Sequence, residues 1–410
     1  MHGKNNHFFR YMHSTLSSTL NNAQSALLLG PRQVGKTWLI QKELEGREHV
    51  ISIPLQLPSV RQDYERDPSL LLRQVRALPD SAIVFIDEAQ KVPMLFDTAQ
   101  YLIDERKASF IFSGSSARKL RRKGVNLLPG RVLSLRLDPL MWSETGQSVG
   151  GGIPQLRLET VTHSGTYSFD EGLVYGALPG IASEPRVEDR AQFLRSYAQI
   201  YVEEEIRAEA MARNIGSFSR FLEMAASESG GTPNYNKLSM ESGVSAPTIK
   251  AYFSVLEDTL VIERVEPYLK NAKKRILQTP RYFFFDLGVR NALARLPLTP
   301  DLVQAQKGIL FEHAVVLELI RRCRALRKDY RVCFWRTSNG LEVDCVVDCG
   351  AMVIPIEIKS ARRVALSELR GLRAFLEDYS DVAPHGYVVT MGDRPEALAE
   401  NIMALPWRMI

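Results

Sequence analysis

The sequence has few of the features that mark membrane proteins or secreted proteins. Its 410 residues contain no run close to the roughly 18 apolar residues that a membrane span requires. The polar stretch at residues 1–7 leads into no apolar segment of the kind found in secretory signals. The four cysteines lie between positions 323 and 349 without paired C-x-x-C spacing, which indicates neither a zinc site nor a disulfide framework. We therefore expect a cytoplasmic protein with reduced thiols and no membrane contact.

A large excess of one charge is also absent. The chain has 52 Lys and Arg residues against 47 Asp and Glu residues, a formal net charge of +5. The basic residues are nevertheless clustered, in Arg118–Arg131, Lys270–Arg281 and Arg321–Arg331. Such clusters attract polyanions and make nucleic acid, DNA in particular, an expected partner, although solvated helix faces produce similar runs. The length predicts two or three domains at about 150 residues each.

One loop near the N-terminus fills every fixed position of the phosphate-binding pattern G-x-x-x-x-G-K-[ST]. Its residues are Gly30, Pro31, Arg32, Gln33, Val34, Gly35, Lys36 and Thr37. A short apolar run precedes it and a helical pattern follows, so the loop is predicted to join a buried strand to a helix, where backbone N–H groups cradle phosphates. We predict that all eight residues bind ATP, that Lys36 reaches its β- and γ-phosphates, and that the Thr37 hydroxyl binds Mg²⁺. The alternative is a glycine turn with a chance lysine.

Two adjacent carboxylates end a second apolar run. Asp87 and Glu88 directly follow Ala82–Ile86, at the carboxyl end of a predicted strand, where open α/β sheets bind their ligands. This is the Walker B arrangement. We predict that Asp87 holds Mg²⁺ and that Glu88 polarises the attacking water. A strand that merely opens into an acidic surface loop is the alternative.

A third apolar run, residues 110–112, is followed by serines and then by arginines. If this strand neighbours the strand before the phosphate loop, Ser113 or Ser115 would lie beside the γ-phosphate. An arginine that neutralises transition-state charge is expected further on, acting within the chain or across the subunit boundary of a homo-oligomer. The candidates are Arg118, Arg121, Arg122 and Arg131. The sequence does not choose among them, and Arg131 is the working assignment.

Three of these motifs together resemble those of the AAA+ ATPases of bacteria and archaea. They are Gly30–Thr37, Asp87-Glu88-Ala89-Gln90 and Ser113–Arg118. The chain is most similar to a subgroup with a C-terminal domain of unknown function whose core is similar to restriction-endonuclease-like nucleases. The resemblance implies an α/β fold with an ASCE-type parallel sheet, in which the two Walker strands are adjacent, and a catalytic glutamate.

Pattern and resemblance together predict four regions. An AAA+-like P-loop ATPase domain is expected at residues 1–140, followed by a glycine-rich flexible connection at 141–167. A helical and winged-helix region is expected at 168–285. A restriction-endonuclease-like, or PD-(D/E)XK nuclease-like, α/β domain is expected at 286–410.

Within the central region, residues 235–268 are typical of a helix-turn-helix followed by a wing strand. We expect Thr248, Lys250 and Tyr252 to point outward from the second helix, as the residues of a helix in the DNA major groove do. Only one of the three is cationic, whereas phosphate contacts need several Lys or Arg. A winged helix used for protein packing is therefore an equal alternative.

Two strand-like runs near the C-terminus, 341–348 and 353–359, contain a second candidate site. The two-residue period of a strand predicts one core face, made of Val343, Cys345, Val347 and Cys349 on the first strand and Ile354, Ile356 and Ile358 on the second. Asp344, Glu357 and Lys359 are then expected on the opposite face. This arrangement resembles PD-(D/E)XK nucleases, in which carboxylates hold Mg²⁺ and the lysine orients or activates water.

The resemblance also calls for an acid on the preceding helix, and Glu312 fits. A second Mg²⁺ site is therefore expected at Glu312, Asp344 and Glu357, with Lys359 beside it. A solvated strand face presents the same pattern, and a metal-site relic can serve as a binding platform.

The sequence as a whole predicts a Mg²⁺-dependent ATPase that couples its nucleotide state to a winged-helix and nuclease-like C-terminal half acting on DNA. Two alternatives remain open. One is a metal-dependent DNA nuclease gated by ATP, and the other is a regulatory ATPase switch that binds a protein partner.

Overall fold

The computed structural model of the chain describes residues 8–115, 128–159, 167–209, 215–269 and 279–410. These residues form two compact units. The N-terminal unit consists of Arg10–Asp138 together with Asp258–Val261, and the C-terminal unit is built from Pro139–Glu257 and Ile262–Ile410 together with residues 8 and 9. Each unit has its own sheet.

The N-terminal unit is a parallel sheet with helical crossovers, as expected. Its strands are β1 (Ser25–Leu29), β2 (Val50–Pro54), β3 (Ala82–Asp87), β4 (Ala108–Gly114) and β5 (Val132–Arg136). Its helices are α1 (Tyr11–Asn21), α2 (Lys36–Leu44), α3 (Pro58–Arg66), α4 (Leu70–Arg76) and α5 (Leu95–Asp104), with a 3₁₀ turn at Ala89–Lys91. The strand order is β2-β3-β4-β1-β5, and every pairing is parallel.

The expectation that the two Walker strands are adjacent is wrong, because β4 lies between them. Leu28 on β1 is in register with Ser113 on β4, and Phe112 on β4 is in register with Ile86 on β3. The carboxyl end of β4 therefore lies between the phosphate loop and the carboxylates that follow β3. The prediction for Ser113 and Ser115 required that the strand before them pair with β1, and β4 does so.

The strands β3 and β4 are buried along their whole length. Such strands read as continuous apolar runs because both faces of a parallel sheet are covered by helices. Phe112 stacks on Phe96 of α5 with ring centroids 4.6 Å apart, and on Phe110 at 5.7 Å. Burial of each side chain of this size stabilises the folded state by about 1.5–3 kcal/mol relative to exposure. This packing holds in place the carboxyl ends of β3 and β4, where the site lies.

The C-terminal unit contains a mixed sheet with helices on both sides. Its strands are β6 (Ile262–Pro267), β7 (Arg281–Phe284), β8 (Arg331–Arg336), β9 (Glu342–Asp348), β10 (Val353–Lys359), β11 (Gly386–Thr390), β12 (Glu396–Ala399) and β13 (Ile402–Pro406). Its longer helices are α6 (Phe169–Tyr175), α8 (Val187–Glu209), α9 (Ile215–Ser227), α10 (Tyr235–Ser242), α11 (Ala246–Asp258), α12 (Leu287–Leu293), α13 (Asp301–Ala325) and α14 (Arg370–Asp378). The short α7 (Pro179–Ala182) and 3₁₀ turns at Pro154–Leu156, Leu366–Glu368 and Trp407–Met409 complete it. None of the helices described is both long and apolar enough to cross a membrane.

Three helices, α9 to α11, precede the antiparallel pair β6–β7. Strand β6 also runs parallel to β8, with Glu266 in register with Cys333. The sheet order is accordingly β12-β13-β11-β10-β9-β8-β6-β7. The helix-and-hairpin segment and the C-terminal strands thus share one sheet, which is continuous across the domain boundary expected at residue 285.

The outward orientation expected for Tyr252 on α11 is wrong. Its ring is buried and packs against Phe218 and Phe221 of α9, with centroids 4.7 and 5.2 Å apart. Tyr252 lies three positions after Ile249, which is also buried, so the helical period places both on the core side. Lys250 is exposed and lies over the ring of Tyr235.

The expected flexible connection is packed into the C-terminal unit over its described part. Ile153 and Leu156 belong to the core beside α13, and the Trp142 ring packs edge-on against Trp407 at 5.2 Å. Gly151 adopts a φ of +90°, a conformation that side chains disfavour. The glycines there permit tight turns, and the apolar residues around them provide the order that composition alone did not predict.

Candidate functional site

The phosphate loop joins the end of β1 to the start of α2, as the sequence predicts. Gly35 is the N-cap of α2 and adopts a φ of 91°, which a residue with a side chain rarely adopts. A Cβ on Gly30 would lie 2.3 Å from the Leu137 carbonyl oxygen. Both glycines are therefore required by the backbone path. No side chain caps the first turn of α2, so its amides are available to an anion.

Lys36 is buried inside the loop, with 7% of the residue exposed. Its ammonium donates to the carbonyl oxygens of Gly30 and Pro31, each at 2.8 Å. Burial lowers the pKa of Lys36 to about 8, and the nearby charges of Glu88 and Asp87 oppose this shift. The loop thus holds a cation at its centre.

Asp87 gathers three polar side chains at the end of β3. The Thr37 hydroxyl lies 3.2 Å from both carboxylate oxygens, and the Gln56 amide donates to one of them at 2.8 Å. The Ser113 hydroxyl donates to the other. The two residues predicted to hold Mg²⁺, Thr37 and Asp87, are therefore in contact.

Glu88 follows in a left-handed conformation, with a φ of 56°, and a non-glycine residue held there indicates a constrained site. Its amide donates to the Ser113 oxygen at 3.0 Å. Its carboxylate accepts hydrogen bonds from Gln90 and, at 3.3 Å, from Ser115. Both predicted serines thus contact the acidic pair, Ser113 through both residues and Ser115 through Glu88.

Three residues of the site lacked a functional prediction. Gln90 stands within the quoted Asp-Glu-Ala-Gln motif, whereas Gln56 has no signal beyond its place just after β2. Arg10 is buried, and its guanidinium donates to the carbonyl oxygens of Val34 at 2.9 Å and Asp138 at 2.5 Å. It fastens the phosphate loop to the segment after β5. Nothing in the local sequence around Arg10 predicts this contact across 24 and 128 positions.

Arg131 is not brought to this site. It precedes β5, which runs parallel to β1, and the next residue, Val132, is in register with Ser25 at the start of β1. The phosphate loop follows the other end of β1, so Arg131 lies at the opposite edge of the sheet. There it pairs with Asp104, Nε to Oδ1 at 2.6 Å and a terminal nitrogen to Oδ2 at 3.0 Å. The other candidates, Arg118, Arg121 and Arg122, lie outside the described residues.

The second candidate site brings together Asp344, Glu357 and Lys359. One Asp344 oxygen accepts the Ile358 amide at 2.8 Å, and Lys359 Nζ donates to Glu357 Oε1 at 2.7 Å. Burial, with the neighbouring charges of Glu357 and Glu312, raises the pKa of Asp344 well above its ordinary value. Burial also raises the pKa of Glu357, whose second oxygen is buried without a hydrogen bond.

The face predicted for β9 is only partly correct. Cys345 and Val347 pack in the core beside α13 with the three isoleucines of β10, as expected, but Val343 packs in the core beside α14. The register between β8 and β9 shifts between Cys333 and Trp335, which marks a bulge. A bulge adds a residue and breaks the two-residue alternation. Asp344 lies at that interruption.

Glu312 of α13 does not join the other two carboxylates as a ligand set. It pairs with Arg281 of β7, whose terminal nitrogen lies 2.5 Å from Glu312 Oε1. Among the residues that the structure describes, no group of three or more His, Cys, Asp or Glu side chains is arranged to hold a metal ion. In the sequence Arg281 is marked only by its basic cluster, and no local pattern predicts its contact with Glu312 across 31 positions.

The basic cluster Arg321–Arg331 is only partly exposed, and its first two arginines are not available to a nucleic acid. Arg321 and Arg322 are buried. Arg322 pairs with buried Glu318 at 3.1 Å, because a buried charge needs a partner. Further along, Arg324 pairs with Glu263 at 2.5 Å and Arg331 with Asp348 at 2.7 Å. Arg321 and Arg322 thus stabilise the interior of the C-terminal unit, whereas Arg327, Lys328 and Arg331 are exposed. Most of the other two clusters lies outside the described residues.

In comparisons with known proteins, the N-terminal part of the chain and the C-terminal part match different families. A sequence profile of an AAA domain matches residues 22–146, and two domains of unknown function, DUF8612 and DUF4143, match 166–300 and 307–410. Uncharacterized proteins of Mycobacterium bovis and Mycobacterium tuberculosis are each 26% identical over 402 residues, 95% of this chain and 82% of theirs.

A Walker-type ATPase of Pyrococcus abyssi is similar in structure, with a TM-score of 0.50 and 17% identity over 72% of this chain and 98% of its own. At that identity the likeness concerns the fold alone. With the AAA profile and the geometry of the phosphate loop, it identifies the fold of the N-terminal unit as that of P-loop ATPases.

Proposed function

We propose that the N-terminal unit binds ATP with Mg²⁺ and hydrolyses it. The observation that carries this proposal is the contact of Thr37 with Asp87, 3.2 Å from hydroxyl to carboxylate, with Glu88 as the next residue. A metal-ligand pair at the base of the phosphate loop and an adjacent acid are the parts that phosphoryl transfer to water requires.

The residues present fit both the nucleotide and the ion. The uncapped first turn of α2 and its dipole suit phosphate oxygens. The Thr37 hydroxyl and the Asp87 carboxylate are hard oxygen donors of the kind that Mg²⁺ prefers, and they would hold it. When bound, the ion would neutralise charge on the phosphates.

The remaining residues orient the chemistry. Lys36 is placed to exchange its bonds with Gly30 and Pro31 for bonds with phosphate oxygens. Glu88 would align a water and accept its proton, a contribution that general-base catalysis sets at about 10²- to 10⁴-fold. Ser115 and Gln90 hold the Glu88 carboxylate in one position.

The test is release of phosphate from ATP by the full chain, with Mg²⁺ and with excess EDTA. We expect turnover that needs the metal and falls to background in Thr37→Ala. Because Thr15 also lies on a helix of this unit but outside the loop, Thr15→Ala is the matched control and should match the parent chain. Equal turnover in EDTA would contradict the proposal.

A second candidate function concerns the C-terminal cluster. We propose that Asp344 and Glu357 bind a divalent cation. The support is their placement on adjacent strands, the unpaired buried oxygen of Glu357, and Lys359 at 2.7 Å. The third expected ligand, Glu312, does not fit while it is paired with Arg281. We therefore derive no cleavage step from this site.

DNA is the partner that we propose for the C-terminal unit. The support is the helix-and-hairpin arrangement of α9–α11 and β6–β7 and the basic residues at 270–275, which lie outside the described residues. DNA binding that weakens steeply with salt, and weakens further when Lys273, Lys274 and Arg275 are all changed to Gln, is expected. Its absence would favour the alternative, a switch that binds a protein partner.

A further inference from the structure

Arg281 joins three segments of the C-terminal unit beside the carboxylate cluster. Its Nε donates to the Gly230 carbonyl oxygen at 2.6 Å, and one terminal nitrogen lies 2.5 Å from Glu312 Oε1. The other terminal nitrogen lies 3.5 Å from the Asp344 carbonyl oxygen. Only 16% of its side chain is exposed. A planar guanidinium with its donors directed at three partners is held in one orientation.

Two aromatic rings support the same orientation. The Arg281 guanidinium carbon lies 5.5 Å from the ring centroid of Phe283 and 5.7 Å from that of Phe334. The negative face of an aromatic ring attracts a cation, and more strongly where water is excluded. Arg281 is therefore part of the site's structure and not a mobile surface charge.

The ion pair between Arg281 and Glu312 changes the net charge that a metal ion would meet at this cluster. Glu312, Asp344 and Glu357 are three carboxylates, and they face two cations, Lys359 and Arg281. Without Arg281, three carboxylates would face one cation, and a divalent ion would meet less repulsion and one more oxygen ligand.

We propose that Arg281 competes with a divalent cation for the Glu312 carboxylate, so that the cluster takes up the ion fully only when this ion pair opens. The inference rests on the proposed cation site at Asp344 and Glu357. In the paired state the guanidinium supplies the positive charge that the ion would bring. Its bond to Gly230 and its contacts with Phe283 and Phe334 stabilise that state.

The test is Mn²⁺ binding to the nucleotide-free full chain, followed by electron paramagnetic resonance of the free ion. All variants carry Asp87→Asn, which removes the metal ligand of the ATP site. We expect Arg281→Gln to bind Mn²⁺ on the order of tenfold more tightly than this parent, the scale on which residues around metal ligands act. Adding Glu312→Gln should remove the gain. Arg281→Met, which keeps an unbranched stem against the two rings, is the second variant.

The matched control is Arg264→Gln. Arg264 lies on the neighbouring strand β6 and is also ion-paired, 2.7 Å from Glu266, so its loss should leave Mn²⁺ affinity unchanged. Equal affinity in the parent and in both Arg281 variants overturns the competition while leaving the cation site in place. Absence of any Mn²⁺ binding sensitive to Asp344→Asn overturns both proposals. Circular dichroism of each variant confirms that it folds.

Discussion

Thr37 and Asp87 are separated by 50 positions, yet the Thr37 hydroxyl lies 3.2 Å from both carboxylate oxygens of Asp87. The contact joins the phosphate loop to the acidic end of β3 across the intervening strand β4. It brings a cation, a hydroxyl and two acids to one edge of a parallel sheet, where such folds bind their ligands.

Lys36→Ala should weaken ATP binding strongly. A charge-assisted hydrogen bond contributes about 1.5–3 kcal/mol, or roughly 10- to 150-fold in affinity, and Lys36 is placed for bonds to phosphate. Lys42→Ala is the matched control, because Lys42 lies on the same helix, stacked over Trp38 and away from the loop carbonyls. Fluorescence titration with a labelled nucleotide measures both, and equal affinity in the two variants would count against the loop.

Glu88→Gln should keep nucleotide affinity and lose turnover by roughly 10²- to 10⁴-fold, because an amide cannot accept the proton of water. Gln preserves the size of the side chain. The control is Glu48→Gln, whose side chain is 90% exposed. Single-turnover hydrolysis separates the chemical step from binding, and unimpaired turnover in Glu88→Gln would remove this residue from the mechanism.

Arg10→Met should reduce nucleotide affinity without any direct contact with ATP. The change deprives the buried carbonyl oxygens of Val34 and Asp138 of their donor. Each buried acceptor left without a hydrogen bond costs about 1–3 kcal/mol of stability. Arg47→Met is the matched control, since Arg47 donates to Glu43 and Asn21 and does not contact the loop. Calorimetric titration compares the two. A loss of stability with unchanged affinity would mean that Arg10 supports the fold but not the loop.

His313 should make the C-terminal unit less stable in mild acid. Burial lowers the pKa of His313 to about 3, against an ordinary value near 6.5. A depressed folded-state pKa gives stability that is complete above pH 6.5 and is lost as pH falls toward 3, by up to about 1.4 kcal/mol per pH unit.

Urea unfolding of the parent and of His313→Gln at pH 7, 6 and 5 measures this loss. Three of the four tryptophans, Trp142, Trp335 and Trp407, lie in the C-terminal unit and report on it by fluorescence. Gln keeps a donor for the Phe284 carbonyl, to which His313 is bonded at 2.9 Å, but it does not titrate. The variant should therefore show the smaller change between pH 7 and 5, and an equal change would refute the assignment.

The local parts of the site were predictable from sequence because short motifs determine them. Gly30–Thr37 forms the loop between a strand and a helix, and Asp87 with Glu88 ends a buried strand, as their patterns indicate. The position of β4 between the Walker strands was not predictable from apolar runs, which show that strands exist but not their order. Arg10 and Gln56 act through contacts between distant segments, so no local pattern marks them.

In the C-terminal half, too, local patterns were predictable from sequence and contacts between distant segments were not. The alternation of Ile354, Ile356 and Ile358 predicted their shared core correctly, because β10 is regular. The same rule misplaced Val343, because the bulge in β9 depends on its pairing with β8 and not on its own residues. Arg281 illustrates the limit best, since its contact with Glu312 exists only after β7 and α13 have packed together.

The most direct test of the central claim is calorimetric titration of the Glu88→Gln chain with ATP in the presence of Mg²⁺. This variant should bind without consuming its ligand. We expect saturable heat corresponding to one nucleotide per chain, which disappears when Lys36→Ala is added. No heat of binding in a folded Glu88→Gln chain would contradict the account of the N-terminal unit as a working nucleotide site.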